Sequence, residues 1–335
     1  TSASWAGNIF PSYGGQTRPD VTPALDPPAG LIPQDLAGQP ISYREMGEGP
    51  AIILVHGITS SSNTWRESMP LLAESHRVVA FDLFGHGESS KTVKDCSLGA
   101  YASTLRDLSV LLDVPRATVV GHSLGGGIAM QYAYQFPERV ERMVLVSAGG
   151  LGRDVNLALR AATLPGSELI MPFLFSQPMR DVANTAGGLL SKIGIHGNAD
   201  IEGVGEGFAS LGDTATRRAF IQTIRAVADD NGQRVDALDR LHLTELLPTL
   251  LVWGGRDRII PVRHAHEAAE LMPDCQVEIF EDSGHFPFNN HPHRFARVVS
   301  DFIAGSEPAD ISEEQVRKLI ARSALEAKQA AEAKA

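Results

Sequence analysis

Gly121-His122-Ser123-Leu124-Gly125 follows an apolar run that ends at Val120. It opens onto a helical pattern carried by Ala129, Met130, Ala133 and Tyr134 and stopped at Pro137. A serine between small residues at a strand-to-helix turn is G-x-S-x-G in the setting the motif requires, with the hydroxyl raised at the end of a sheet. The glycines are there for steric reasons: the turn is tight and strained, and side chains beside the serine would clash as it closes. Gly126 and Gly127 let the following helix approach the sheet closely. The five-residue pattern alone recurs by chance; between a strand and a helix it marks Ser123 as a nucleophile.

Outward from this turn, short apolar runs alternate with amphipathic stretches, the pattern of a parallel sheet covered by helices. Strands are predicted at 41–46, 51–55, 77–81, 118–120, 143–147, 249–253 and 276–280. Most are almost wholly apolar, as strands buried on both faces are. Over 97–113, Leu98, Tyr101, Leu105, Leu108 and Leu112 recur at spacings of three and four, one buried helical stripe ended by Pro115. The interval 151–246 breaks the alternation. It shows helical stretches (Phe220, Ile224 and Val227 share a face), a Gly-rich middle over 187–212 and no convincing buried strand. So long a structureless loop is improbable in a compact domain, so this interval reads as a helical cap. The expected organisation is α/β: a mostly parallel central sheet flanked by helices, formed by 39–150 and 247–304, with the cap at 151–246 inserted. Residues 1–38 read as an irregular Pro/Gly-rich extension, and 305–335 as a helical tail packing one turn through Val316, Leu319 and Ile320.

A serine hydroxyl attacks only when a base takes its proton. Of the eleven histidines, His285 follows the run 276–280, where a loop at the carboxyl edge of the sheet is expected. His122 neighbours Ser123 but points elsewhere from such a turn and reads as packing. The pairs His264/His266 and His291/His293 resemble metal ligands, but they lie at polar helix starts without a third partner and read as solvated surface. The imidazole needs a carboxylate to orient it and stabilise its charged form. Asp257, reached from the run 249–253 through Gly254-Gly255-Arg256, fills that position; Asp154 is the alternative acid, and Asp282 reads as a surface loop residue. The order Ser123, Asp257, His285 is the one expected when a G-x-S-x-G turn carries the nucleophile. Backbone donors must meet the developing oxyanion; the candidates are the N–H groups of Leu124 and of Ile58, the latter in the loop His56-Gly57-Ile58.

Bulk properties restrict partners. A net charge of −11 and no Lys/Arg cluster argue against nucleic acid. No apolar run reaches the roughly 20 residues of a membrane span, and residues 1–20 do not form a basic-then-apolar leader. Two cysteines, Cys96 and Cys275, are too few for a Cys-based zinc site or a disulfide framework and read as free thiols. A cytoplasmic protein without metal or cofactor is expected, its partner a small molecule.

Together His56-Gly57 with Trp65, the stretch Asp82-Leu83-Phe84-Gly85-His86-Gly87-Glu88-Ser89, Gly121 to Gly126, Gly255-Arg256-Asp257 and Gly284-His285 resemble the α/β-hydrolase superfamily, in its serine carboxylesterase and lipase branch. The resemblance runs from about residue 39 to 304 outside the cap, and as a set it is highly specific. Within it, 82–89 looks like a structural turn. Haloalkane dehalogenase- and epoxide hydrolase-like relatives place Asp where Ser123 stands, and proline iminopeptidase-like relatives carry a Gly-Gly-Pro loop absent here. Hydrolases that cleave a carbon–carbon bond in ring-fission products are closer, through Ser147-Ala148-Gly149-Gly150-Leu151-Gly152. Ile58-Thr59-Ser60-Ser61 and Phe286 stand where those usually have a Gly-Pro-Gly-type loop and Trp. Ester hydrolysis through an acyl-enzyme therefore leads, over carbon–carbon cleavage and over a binding protein that merely kept the fold. The apolar run Leu169-Ile170-Met171-Pro172-Phe173-Leu174-Phe175 offers walls for an apolar acyl group. Met171, Phe173 and Phe175, with Phe286 beside the histidine, are the expected substrate contacts.

Overall fold

In the computed structural model, residues 30–92, 95–176, 178, 205, 207, 209–235, 237, 245–272 and 274–322 are described. An eight-stranded sheet runs in the order β1-β2-β4-β3-β5-β6-β9-β10. Its strands are β1 (Ile32–Leu36), β2 (Gln39–Met46), β3 (Ala51–Val55), β4 (Arg77–Phe81), β5 (Ala117–His122), β6 (Val140–Val146), β9 (Thr249–Gly254) and β10 (Gln276–Phe280). From β4 to β10 every pairing is parallel; β1 and β2 are antiparallel. The direction in which the chain adds strands reverses between β3 and β5, which are parallel neighbours, so the loops after them, at 56–62 and at Ser123, meet at one point of the carboxyl edge.

The strands are apolar throughout because both faces are covered. Ile53 and Val55 of β3 face a layer built on α2 (Leu98–Leu111) and α3 (Leu124–Gln135). Ile52 and Leu54 point the other way, into Trp65 and Met69, the latter on α1 (Met69–Leu72), and into Phe288, Phe295 and Val299. Those last three come from α8 (Pro287–Asn290) and α9 (Pro292–Gly305). Each such fully buried aliphatic side chain contributes roughly 1.5–3 kcal/mol. α2 starts where Ser97 Oγ accepts a hydrogen bond from the Ala100 N–H, a side-chain cap.

Between β6 and β9 lie α4 (Leu157–Thr163), α5 (Ser167–Leu174), α6 (Thr214–Val227) and a small antiparallel hairpin, β7 (Ala228–Asp229) and β8 (Gly232–Gln233). α7 (Arg263–Leu271) joins β9 to β10. Met171, Leu211, Phe220, Ile221, Ile224 and Ala228 form a separate small core in this inserted region.

Three expectations change. The interval 151–246 is not strand-free: Asp230 and Asn231 turn a two-residue hairpin too short for a two-residue apolar alternation to announce. The irregular extension ends before residue 32, because β1 pairs with β2 across Ala37-Gly38, both at positive φ. This is the twist a tight hairpin needs, made without the Asn-Gly that would signal it. Its sequence, Ile-Pro-Gln-Asp-Leu, is polar because β1 is an edge strand; β10 is the other edge. In the tail, residues 313–322 are helical with Leu319 buried and Ile320 exposed. Residues 1–29, 323–335 and most of the Gly-rich 187–212 stretch lie outside the described residues. Among the described residues no helix is long and apolar enough to cross a membrane, and Cys96 and Cys275 are both free.

Candidate active site

Ser123 is the last residue before α3 and takes φ +54 and ψ −117, a conformation a non-glycine residue adopts only when its surroundings impose it. Those surroundings are specific. The Ser123 N–H donates to the Val146 carbonyl (3.0 Å), and its own carbonyl accepts from Gly126 and Gly149 N–H, both at 2.9 Å. A Cβ on Gly121 would collide with the Gly125 carbonyl, and one on Gly125 with the Val55 carbonyl. The two glycines of the motif are thus places where backbone touches backbone.

His285 and Asp257 come together from separate strand ends. His285 Nδ1 lies 2.8 Å from Asp257 Oδ2, both side chains buried. The other oxygen, Asp257 Oδ1, accepts the Ile259 N–H at 2.8 Å and the Ile260 N–H at 2.9 Å, so the carboxylate is held in a fixed orientation. Trp253 Nε1–H donates to the Ile260 carbonyl from below (3.0 Å), and Arg256 N–H to the Ser283 carbonyl (2.9 Å), binding the loops after β9 and β10 to each other. The other acids lie elsewhere. Asp154 is ion-paired with Arg263, and Asp282 contacts His291 at 3.0 Å.

Three more histidines are buried around this edge, and each is held neutral. His122 Nε2 lies 2.9 Å from the His285 carbonyl and donates to it; its ring packs against His285, Trp65, Phe286 and Phe288. Burial, and then the neighbouring His285, push its pKa well below the ordinary histidine value. His56 Nδ1–H donates to the Gly57 carbonyl (2.7 Å) while its Nε2 accepts the Leu83 N–H (3.0 Å). A second ring proton would face that N–H, and burial lowers the His56 pKa accordingly. His86, beside it, is pushed down to about 3, by burial first and by His56 second. Asp82 completes the support: its carboxylate accepts the Ser62 N–H at 2.7 Å and the Glu88 N–H at 2.8 Å, tying the 82–89 turn to the loop after β3.

A small cleft of about 50 Å³ opens above Ser123. Ile58 and Leu124 border it, as do Leu98, Val155, Leu159 and Ile224. Among the described lining residues only Ser123 and Gln233 carry polar side chains, and none is ionisable. Of the residues expected to touch substrate, none lines it. Met171 is consumed by the small core of the inserted region, with Phe175 packed against it. Phe173 is 66% exposed. Phe286 is buried against His122 and His285 on the far side. The physical reason is helical geometry: α5 presents one face to α6, and its apolar run is longer than that face. The wall comes instead from α2, α4, α6 and the loop after β6. Gln233 was missed because it sits in a hairpin read as part of a helical interval. His264 is also corrected: it is 1% exposed, its ring 3.6 Å from Asp154, whereas His266 beside it is exposed as expected. Among the described residues no group of three or more potential ligands could hold a metal ion.

The sequence model of the Alpha/beta hydrolase family matches residues 52–298. An uncharacterized protein of Mycobacterium tuberculosis is 45% identical over 288 residues, 85% of this chain and 84% of the relative. A 2-hydroxymuconate semialdehyde hydrolase of Pseudomonas sp. is 31% identical over 287 residues, 82% of this chain and 94% of that one. Among solved structures, an esterase from Rhodococcus sp. is similar with a TM-score of 0.60 and 25% identity, over 82% of this chain and 98% of the other.

Proposed function

Because this chain belongs to the alpha/beta hydrolase family, we propose that it is a serine hydrolase that cleaves carboxylic esters of small to medium apolar acids. The observation that carries the reading is the buried Asp257–His285 bond at the same sheet edge as the strained Ser123, under an aliphatic cleft. Ser123 Oγ attacks the ester carbonyl carbon while His285 takes its proton. The carbonyl electrons move onto oxygen, where the Ile58 and Leu124 N–H groups stabilise the charge. The intermediate collapses, the carbon–oxygen bond to the alcohol breaks, and His285 returns the proton to the leaving alkoxide. Water, deprotonated by His285, then releases the acid and restores Ser123. Asp257 keeps the imidazole in the tautomer that presents Nε2 to the serine and stabilises its charge. The region 151–246 acts as a cap that supplies part of the acyl-binding wall.

Carbon–carbon hydrolysis of ring-fission products is the second reading, favoured by the 31% identity to a 2-hydroxymuconate semialdehyde hydrolase. Such a substrate carries a carboxylate. The described wall offers it no counter-charge, and burying an unpaired anion among aliphatic side chains is costly. Neutral esters fit this wall better.

The test is a panel of neutral p-nitrophenyl esters beside one ring-fission product, with fluorophosphonate labelling of wild type and Ser123→Ala. Ester turnover and labelling, both abolished in a folded Ser123→Ala protein, are expected. Turnover of the ring-fission product alone would move the chemistry to carbon–carbon cleavage. Ester activity surviving Ser123→Ala would remove the serine from the mechanism.

A further inference from the structure

Gln233 is the one polar side chain besides Ser123 in the described wall of the cleft, yet it offers substrate little. Its carboxamide is turned to the backbone: Oε1 accepts the Gly150 N–H at 2.8 Å, and Nε2 donates to the Gly152 carbonyl at 2.8 Å and more weakly to the Asp154 carbonyl at 3.5 Å. Its backbone N–H donates to the Arg153 carbonyl (2.8 Å), and the Ala237 N–H beyond it to the Gly150 carbonyl (2.8 Å). The loop so gripped is the one after β6, and it supports the serine. Gly149 N–H is one of the two donors on the Ser123 carbonyl. Loop backbone in an aliphatic wall has no water to satisfy it, so a side chain must, and an unsatisfied buried amide costs about 1–3 kcal/mol.

We infer that Gln233 is a positioning residue. It clamps the hairpin of the inserted region to the loop behind Ser123, holds the strained serine in register, and satisfies the Gly150 N–H in the described wall of the cleft. The clamp also makes the substrate class narrower. With both carboxamide N–H groups directed at backbone carbonyls, the described wall, Ser123 aside, leaves no side-chain N–H or O–H donor for a hydroxy- or oxo-substituted acyl chain, so unsubstituted chains are preferred. The inference rests on the proposed role of Ser123 but not on the ester as substrate.

The experiment compares Gln233→Leu and Gln233→Glu with wild type by fluorophosphonate labelling rate, by kcat and KM on acetyl and butyryl esters, and by hydrogen exchange of the segment holding Gly150. Gln233→Leu keeps the volume and loses both bonds. It is expected to slow labelling and kcat by about tenfold or more, with a smaller change in KM, and to speed exchange at Gly150. The carboxyl introduced by Gln233→Glu can make both bonds only when protonated; ionised, it repels the Gly152 carbonyl. Burial raises the pKa of such a group. The ratio of its labelling rate to that of wild type at the same pH is therefore expected to fall between about pH 5.5 and about pH 9, a change that packing alone does not produce. Wild-type labelling and exchange in a folded Gln233→Leu protein, or a pH-independent ratio for Gln233→Glu, would overturn the inference. If wild type itself is not labelled, the serine mechanism fails, and unchanged Gly150 exchange in Gln233→Leu would separately sink the clamp.

Discussion

Asp257 works through what its two oxygens do. Oδ1 is committed to two backbone N–H groups and Oδ2 to His285 Nδ1. In Asp257→Asn the amide oxygen can keep the first pair, but the NH₂ group must then face the imidazole, forcing the ring proton to the other nitrogen. The fold should persist while kcat drops on the order of 10⁴-fold, measured with thermal unfolding as the control for folding. Near-normal turnover would show that the tautomer is not what Asp257 controls. His122 poses a different question, because its Nε2–H is the donor on the buried His285 carbonyl. His122→Phe keeps the aromatic contacts and strands that carbonyl, so a loss of about 1–3 kcal/mol is expected in denaturant unfolding. The sequence suggested the packing role of His122, since a residue beside a strained turn must point away from it. It could not suggest the carbonyl 163 positions later that the ring would meet.

On the proposed ester chemistry, α4 and α6, with the loop between them and the sheet, would set the length of acyl group the cleft can hold. Each methylene buried there adds up to about 0.8 kcal/mol to transition-state binding until the space is filled. In a series of straight-chain esters kcat/KM should climb and then fall, and Leu159→Ala or Ile224→Ala should move the maximum to longer chains. Phe173→Ala, on the solvent face of α5, should leave the profile where it was and stability within about 0.5 kcal/mol. A maximum that moves with Phe173 but not with Leu159 would return α5 to the wall. The core elements were legible because strands buried on both faces carry continuous apolar runs and because α2 repeats Leu and Tyr at three and four. Which face of the inserted helices meets the cleft was not legible. Leu169, Ile170 and Phe173 are as apolar as any core residue, but among the described residues only one face of the helix is covered, by α4 and α6, and Met171 takes the buried position. The strand ends that carry Ser123, Asp257 and His285 could be read from the apolar runs that precede them, with chain order as a check; Gln233 needed the fold, because nothing about an isolated Gly-Gln in a hairpin announces a clamp.

Over the whole molecule, the buried neutral histidines make stability depend on pH. The unfolded chain binds a proton on His86 near pH 6.5, whereas the folded protein resists it until about pH 3. The unfolded state therefore binds more protons throughout that window, and the stability present above pH 6.5 is lost progressively as pH falls through it. His86 alone should remove about 2 kcal/mol by pH 5, with His56 and His122 adding in the same direction. The decline of Tm below pH 6.5 should be measurably shallower in His86→Asn; an unchanged slope would rule His86 out as a contributor. Among the described residues the sheet, finally, is open, and it ends on β1 and β10. Both borders carry residues hostile to further strand addition: Pro33, which has no N–H to give, and Asp35 on β1, and Glu278 on β10 with Arg294 against it. An uncapped row of peptide groups invites a second molecule to extend the ladder, and charge or proline on the border discourages it. Colloidal behaviour at high concentration should therefore hinge on two or three border positions. Pro33→Val with Asp35→Val would leave the cleft untouched and turn a well-behaved solution turbid, a change light scattering would follow with time.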